Sequence, residues 1–235
     1  MRSRICSLFL TISLLATCPV LRAADKEDAP EAPLLGGVYV SADVFGFIYP
    51  IFITDAFYSM EASASVDIKH RFYPTVEAGY GYCNTTGDLY GIRYATAAPY
   101  VRVGMDYNMQ YKTGAPNYIL AGLRVATTSA PYEVEAASLV DPVFTTETPF
   151  HLVDMPCRAL WAEAVVGVRA QIIGGFYMGW TIRYKRMLHM ANDAAYGSPW
   201  YVPGFGVYGT EAVGATYNLT WYFNMGALHA ASRKH

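Results

Sequence analysis

From Met60 to Lys69 the chain reads Met-Glu-Ala-Ser-Ala-Ser-Val-Asp-Ile-Lys, apolar and polar residues in strict alternation. Successive side chains of a β-strand point to opposite faces, so such a run offers one face to an apolar medium and the other to water or a polar interior. The pattern returns along the chain, with strands expected at about 37–48, 58–69, 72–83, 99–110, 117–128, 159–172, 176–187 and 211–223. Their connections alternate in length. Lys69-His70-Arg71, Tyr111 to Pro116 and Ile173-Gly174-Gly175 are tight, whereas 49–57, 84–98, 129–158 and 188–210 are long. Short turns at one end, long loops at the other and an even strand count point to an all-β, eight-stranded antiparallel up-and-down transmembrane β-barrel. Ten strands result if part of the 129–158 loop, such as Tyr132 to Val140, extends the sheet.

The faces sort cleanly. In the fourth strand Val101, Val103, Met105, Tyr107 and Met109 oppose Arg102, Gly104, Asp106, Asn108 and Gln110. In the seventh, Phe176, Met178, Trp180, Ile182 and Tyr184 oppose Tyr177, Gly179, Thr181, Arg183 and Lys185, and the last strand repeats the arrangement. The strand charges Asp43, Glu61, Asp67, Glu77, Asp106 and Glu163, with Lys69, Arg102, Arg124, Arg169, Arg183 and Lys185, all fall on the polar face. A soluble lipid-binding barrel would alternate the same way with its faces reversed. Its polar exterior would be studded with Lys and Glu, whereas this face is diluted by Gly79, Gly81, Gly104, Gly122, Gly167, Gly179 and Gly214. Matched charges and small residues fit a narrow, filled lumen. Aromatics near strand ends, among them Phe45, Phe47, Tyr49, Tyr58, Phe72, Tyr73, Tyr107, Tyr111, Trp180, Trp221 and Phe223, fit an interfacial girdle.

The start of the chain has the form of a secretion leader. Arg2 and Arg4 precede an uncharged run from Ile5 to Leu21, with cleavage expected near Ala23 or Ala24. The expected order is a signal peptide over 1–23, an acidic periplasmic lead-in over 24–35, the barrel over 36–223 and a periplasmic tail over 224–235. A retained helical anchor and a lipoprotein cut before Cys18 are the weaker alternatives, because the run is short for a span and Thr17 stands where Gly or Ala is expected. Of 17 basic residues Arg2, Arg4 and Arg22 would leave with the leader, so 14 would remain against 19 acidic ones. No basic patch invites nucleic acid. Only 15% of residues are charged, against about 25% in a soluble domain, so some surface is expected to face something other than water.

Four segments carry a resemblance: Arg71-Phe72-Tyr73-Pro74-Thr75-Val76-Glu77-Ala78-Gly79-Tyr80-Gly81, Ala98-Pro99-Tyr100-Val101-Arg102-Val103-Gly104-Met105-Asp106-Tyr107-Asn108, Phe176-Tyr177-Met178-Gly179-Trp180-Thr181-Ile182-Arg183-Tyr184-Lys185 and Trp200-Tyr201-Val202-Pro203-Gly204-Phe205-Gly206. Over residues 36 to 223 the chain resembles an uncharacterised family of bacterial outer-membrane barrels, a domain of unknown function common in Bacteroides-type bacteria. The resemblance implies the fold and a Gram-negative outer membrane, with no catalytic or binding residue to carry across. Gly214, Tyr217, Leu219 and Trp221-Tyr222-Phe223 are similar to the closing-strand signal read by the barrel assembly machinery, although the chain runs on past Phe223.

The candidate chemistry is sparse. Asp43, Glu61, Asp67, Glu77, Arg102, Asp106, Arg124, Glu163, Arg169, Arg183 and Lys185 are expected to form a structural ion-pair network rather than a conducting path, because eight strands leave a lumen only wide enough for side chains. Cys83 and Cys157 are candidates for a disulfide in an oxidising compartment. His151 and His189, near Asp154, Asp193 and Ser198, would serve a lipid-modifying deacylase or acyltransferase, the enzyme alternative, although no G-x-S-x-G elbow accompanies them. No Cys or His spacing suits a metal and no cofactor is expected. Trp200, Tyr201 and Phe205 are candidates for recognition of an extracellular protein or glycan, although folding down to plug the barrel mouth, or anchoring in the outer leaflet, is the stronger expectation for this loop. The expected partners are outer-membrane lipid and, during biogenesis, the assembly machinery.

Overall fold

The computed structural model describes residues 34–46, 56–87, 91–113, 117–140, 147–192 and 199–224. The leader, nearly all of the acidic lead-in and the tail beyond Asn224 lie outside them. The described residues form twelve strands in order: β1 (Leu35–Asp43), β2 (Phe57–Ile68), β3 (Phe72–Thr86), β4 (Ile92–Asn108), β5 (Tyr118–Ser129), β6 (Tyr132–Val140), β7 (Glu147–Met155), β8 (Cys157–Ile173), β9 (Phe176–Asn192), β10 (Tyr201–Val202), β11 (Gly206–Val207) and β12 (Glu211–Asn224).

Eight of them close a ring in the order β1, β2, β3, β4, β5, β8, β9, β12. All neighbours are antiparallel, and the seam between β1 and β12 runs from Gly37 opposite Asn224 to Asp43 opposite Asn218. Inside the seam the hydroxyls of Ser41 and Thr220 share a 2.8 Å hydrogen bond. The expected eight-stranded barrel is therefore the fold.

The sheet itself has ten strands. β6 pairs with the first residues of β4, from Ile92 to Thr96, and β7 lines the far side of β6, so the two form a wing outside the ring. Pro131 separates β5 from β6 and Pro156 separates β7 from β8. Proline has no N–H to donate and a fixed φ, and the two breaks lie at one level because Tyr132 faces Met155. The strands at this end also run further than the alternation indicates. β4, β8 and β9 each have 17 residues, whereas a tilted crossing needs about 9–11. At ~3.3 Å per residue and a tilt near 45° they stand about 40 Å tall against a ~25 Å apolar band. At the other end, β2 stops at Ile68. Lys69 (φ 55°) and His70 (φ 51°) take left-handed backbone in the turn, and Lys69 is exposed, not lumenal as strand parity suggests.

The two faces have opposite chemistry. Leu123 and Val213 are 72% and 75% exposed, and Val76, Val103, Met105, Val125, Val166 and Ile182 join them on the outer wall. The carboxylates Asp43, Glu61, Asp67, Glu77, Asp106 and Glu163 and the guanidiniums of Arg102, Arg124 and Arg183 are inside and buried. This overturns the soluble lipid-binding alternative, which needs apolar residues inside. One girdle aromatic is also reassigned: Tyr73 is fully buried in the lumen, while its neighbour Phe72 faces outward against Tyr107, with ring centres 5.5 Å apart. Phe47 and Tyr49 lie outside the described residues.

Candidate functional site

The lumen is filled by an ion network drawn from six strands. Glu61 on β2, Glu77 on β3 and Glu163 on β8 converge on Arg102 of β4 and Arg183 of β9. Arg102 bonds Glu61, donates from Nε to Glu163 at 2.9 Å and reaches Glu77 at 3.3 Å. Arg183 bonds Glu77, donates to Glu61 at 2.8 Å and approaches Glu163 at 3.4 Å. Arg124 on β5 spans Glu77 at 3.1 Å and Asp106 at 2.8 Å. Glu163, only 1% exposed, also accepts a 2.6 Å bond from the indole N–H of Trp161. Glu61, Glu77 and Glu163 are thus each met by several donors, which offsets the cost of burying them, whereas Asp106 meets Arg124 alone and its Oδ1 is buried without a partner.

A hairpin from the loop after β9 descends onto this network. β10 and β11 pair through Tyr201–Val207 and Val202–Gly206, and the turn Pro203-Gly204-Phe205 points into the mouth. Lys185 donates to the carbonyls of Gly204 at 2.7 Å and Phe205 at 3.0 Å, and Arg102 reaches the Gly204 carbonyl at 3.0 Å. Phe205 is 1% exposed and meets Trp161 edge-on, with ring centres 5.9 Å apart. The Tyr100 ring lies between Gly79 of the wall and Gly204 of the hairpin, whose φ of 81° and lack of a side chain let it approach. Tyr100 donates to Glu61 at 3.0 Å. Beside the hairpin remains a chamber of about 350 Å³ lined by Asp43, Phe57, Glu61, Arg102, Lys185 and Phe205.

The opposite end is sealed by tyrosines. Tyr39, Tyr73, Tyr118 and Tyr177 pack together with Leu120, and Tyr118 and Tyr39 share a 2.6 Å hydroxyl bond. Arg169 sits above the Tyr39 ring at 4.5 Å and flanks those of Tyr73 and Tyr118 at 5.9 and 6.0 Å, a cation–π arrangement. Between the tyrosines and the ion network lies a cavity of about 40 Å³ lined by hydroxyls such as Ser65, Thr75 and Thr181. At ~10–15 Å³ each, about three waters fit it.

The residues expected in the network divide among four places. Glu61, Glu77, Arg102, Asp106, Arg124, Glu163, Arg183 and Lys185 form the central cluster. Arg169 belongs to the tyrosine layer, and Asp67 pairs with the His70 ring at 2.5 Å in the nearby turn. Asp43 accepts the backbone N–H groups of Phe45, Gly46 and Tyr217, anchoring the end of β1 to β12. Of the recognition candidates, Phe205 is withdrawn because it is buried under the mouth. Tyr201 is half-buried against Phe57, with its carbonyl accepting from Tyr94 at 2.8 Å. Trp200 remains 44% exposed.

Cys83 and Cys157 are buried free thiols in one cluster with Tyr94 and Tyr132, so the bond between them is not made here. His151 on β7 and His189 on β9 are exposed and Asp154 lies in left-handed backbone. Asp193 and Ser198 lie outside the described residues. What sequence reasoning missed is the tyrosine layer and the grip of Lys185 on the hairpin. The signal for the first was present in Tyr39, Tyr73, Tyr118 and Tyr177, aromatics placed by parity on the polar face.

The family described as "Domain of unknown function (DUF6048)" matches residues 1–226. No curated protein matches the chain. Solved structures similar to it include Neisserial surface protein A, 11% identical with a TM-score of 0.44, covering 80% of this chain and 99% of that one. Another is a major outer membrane protein from Thermus thermophilus, 9% identical with a TM-score of 0.43, covering 80% of this chain and 98% of that one.

Proposed function

The chain belongs to the DUF6048 family, and from that premise we propose that it is a closed, non-conducting barrel of a Gram-negative outer membrane that holds a recognition platform above the cell surface. In this reading a signal peptide exports it and the assembly machinery inserts it, with β12 as the closing strand. The tyrosine end faces the periplasm. The observation that carries the reading is the hairpin gripped by Lys185 and Arg102 over a charge-balanced lumen, because a barrel filled in this way has no path for solute. Work is then left to what stands outside the bilayer: the wing of β6 and β7, and Trp200 beside it. Exposed Trp with neighbouring Tyr and Phe is the composition of a binding hot spot for a protein or glycan.

Two measurements on the purified barrel test it. In planar bilayers the protein is expected to give no steady conductance, and an ohmic pore would sink the closed-barrel reading. On glycan and surface-protein arrays, Trp200→Ala is expected to lose binding while the barrel still runs anomalously on an unheated gel. Unchanged binding by that variant removes the platform reading.

A further inference from the structure

The outer wall carries a feature that neither the lumen nor the wing explains. At the tyrosine end, the Arg71 guanidinium lies 5.1 Å from the ring centre of Phe72, 5.4 Å from Tyr107 and 4.7 Å from Tyr111. Lys112 stands over the Tyr111 ring at 5.7 Å. Neither cation has a carboxylate partner among the described residues, and the buried Nε of Arg71 has no hydrogen-bond partner there. Elsewhere on the outward and rim surface, arginines with an acid in reach use it: Arg93 bonds Glu135 and Arg186 bonds Glu211. Arg71 instead lies among aromatic rings, its guanidinium charge unpaired by any acid among the described residues.

Tyr107 has a second role. It forms one end of a groove of about 590 Å³ that runs across the outward face of β4, β5, β8 and β9. The groove exists because Ala121 and Ala164 stand where larger residues fill the wall elsewhere. Ala121 is the strand partner of Tyr107 and Ala164 that of Leu123, so the small positions adjoin. A cation pair at the membrane boundary thus opens directly onto an apolar trough in the hydrocarbon band.

We propose that this is a binding site for one anionic phospholipid of the periplasmic leaflet, with its phosphate on Arg71 and Lys112 and an acyl chain in the groove. The proposal rests on the membrane reading above. Free phosphate would use the cations and leave the groove bare. A second copy of the chain docking by this face would have to bring an acid to Arg71, and the groove lining holds none. Only a lipid matches both the charge and the trough.

The test is native mass spectrometry of the full chain released in mild detergent from vesicles containing phosphatidylglycerol. Wild type is expected to retain one phospholipid. Arg71→Ala with Lys112→Ala should lower the retained fraction by about tenfold or more, as loss of charge-assisted bonds requires, and Ala164→Phe should lower it by filling the trough. Val213→Phe on another part of the wall should leave it unchanged. Equal retention in all four proteins, or a dimer in place of the lipid, overturns the site while a preserved heat-dependent gel shift leaves the barrel standing. Absence of that shift in the wild type would bring down the membrane reading, and the site with it.

Discussion

The ammonium of Lys185 lies 2.7 Å from the carbonyl oxygen of Gly204, across a loop that leaves the barrel wall and returns to cap it. Its second acceptor is the Phe205 carbonyl at 3.0 Å, and both lie at the tip of the hairpin. Lys185→Met keeps the stem and removes the donor. Each hydrogen bond to a charged group contributes about 1.5–3 kcal/mol, so the hairpin is expected to open more often. Protease cleavage within 199–208 on intact cells should rise, while the unfolding of the wall shifts little. Equal protection of variant and wild type would show that the aromatic packing of Phe205 holds the cap by itself.

Glu77 binds three guanidiniums, those of Arg102, Arg124 and Arg183. Glu77→Gln leaves them buried with one anion fewer, a change that costs about 3–5 kcal/mol when a buried pair is broken. The urea concentration at which the heat-dependent gel shift disappears should fall clearly. A midpoint like that of wild type would mean that water or another acid replaces the carboxylate.

Gly79 has no room for a methyl group, because a Cβ there would enter the Tyr100 ring. Gly87 is open, with nothing nearer than 3.7 Å to the same atom. Gly79→Ala should therefore displace Tyr100 and the hairpin resting on it, at a cost of about 1–3 kcal/mol from overpacking. Gly87→Ala should be close to neutral. The comparison is read from thermal midpoints in detergent, and equal midpoints would refute the tight fit.

Cys83 and Cys157 sit among Tyr94 and Tyr132 with almost no exposure. A membrane-permeant maleimide is expected to leave both unmodified in the folded barrel and to label them on boiling in detergent. Labelling of the native protein would place the cluster in open exchange with solvent. Failure to label after boiling, reversed by reductant, would mean that the two thiols pair in the cell.

The wall was legible in the chain because its rule is local. Alternation from Met60 to Ile68, or from Val101 to Asn108, needs only the neighbours along one strand to assign a face. The partnership of Glu61 with Arg102 and Arg183 was not legible, since it depends on register accumulated around the ring. The hairpin folds down over the mouth as the stronger expectation for its loop had it, and only the recognition role of Phe205 falls away. Phe205 in a Pro- and Gly-rich loop has the composition of an exposed binding tip, but its anchorage is through backbone carbonyls, which leave no mark in side-chain identity. Arg169 was placed correctly inside and given the wrong company, because its neighbours are tyrosine rings rather than acids. Lys69 was misplaced for the opposite reason: strand parity was carried one residue into a turn.

The ion network also bears on how the barrel is made. Its members come from β2, β3, β4, β5, β8 and β9, so no hairpin taken by itself can neutralise them. A strand inserted out of order, or slipped by one residue, would send a carboxylate or guanidinium into lipid or leave it stranded inside, at several kcal/mol each. Closure of β1 on β12 with every charge matched is thus far more favourable than any misthreaded ring. The same groups that fill the lumen therefore set the correct strand order apart in energy from every wrong one.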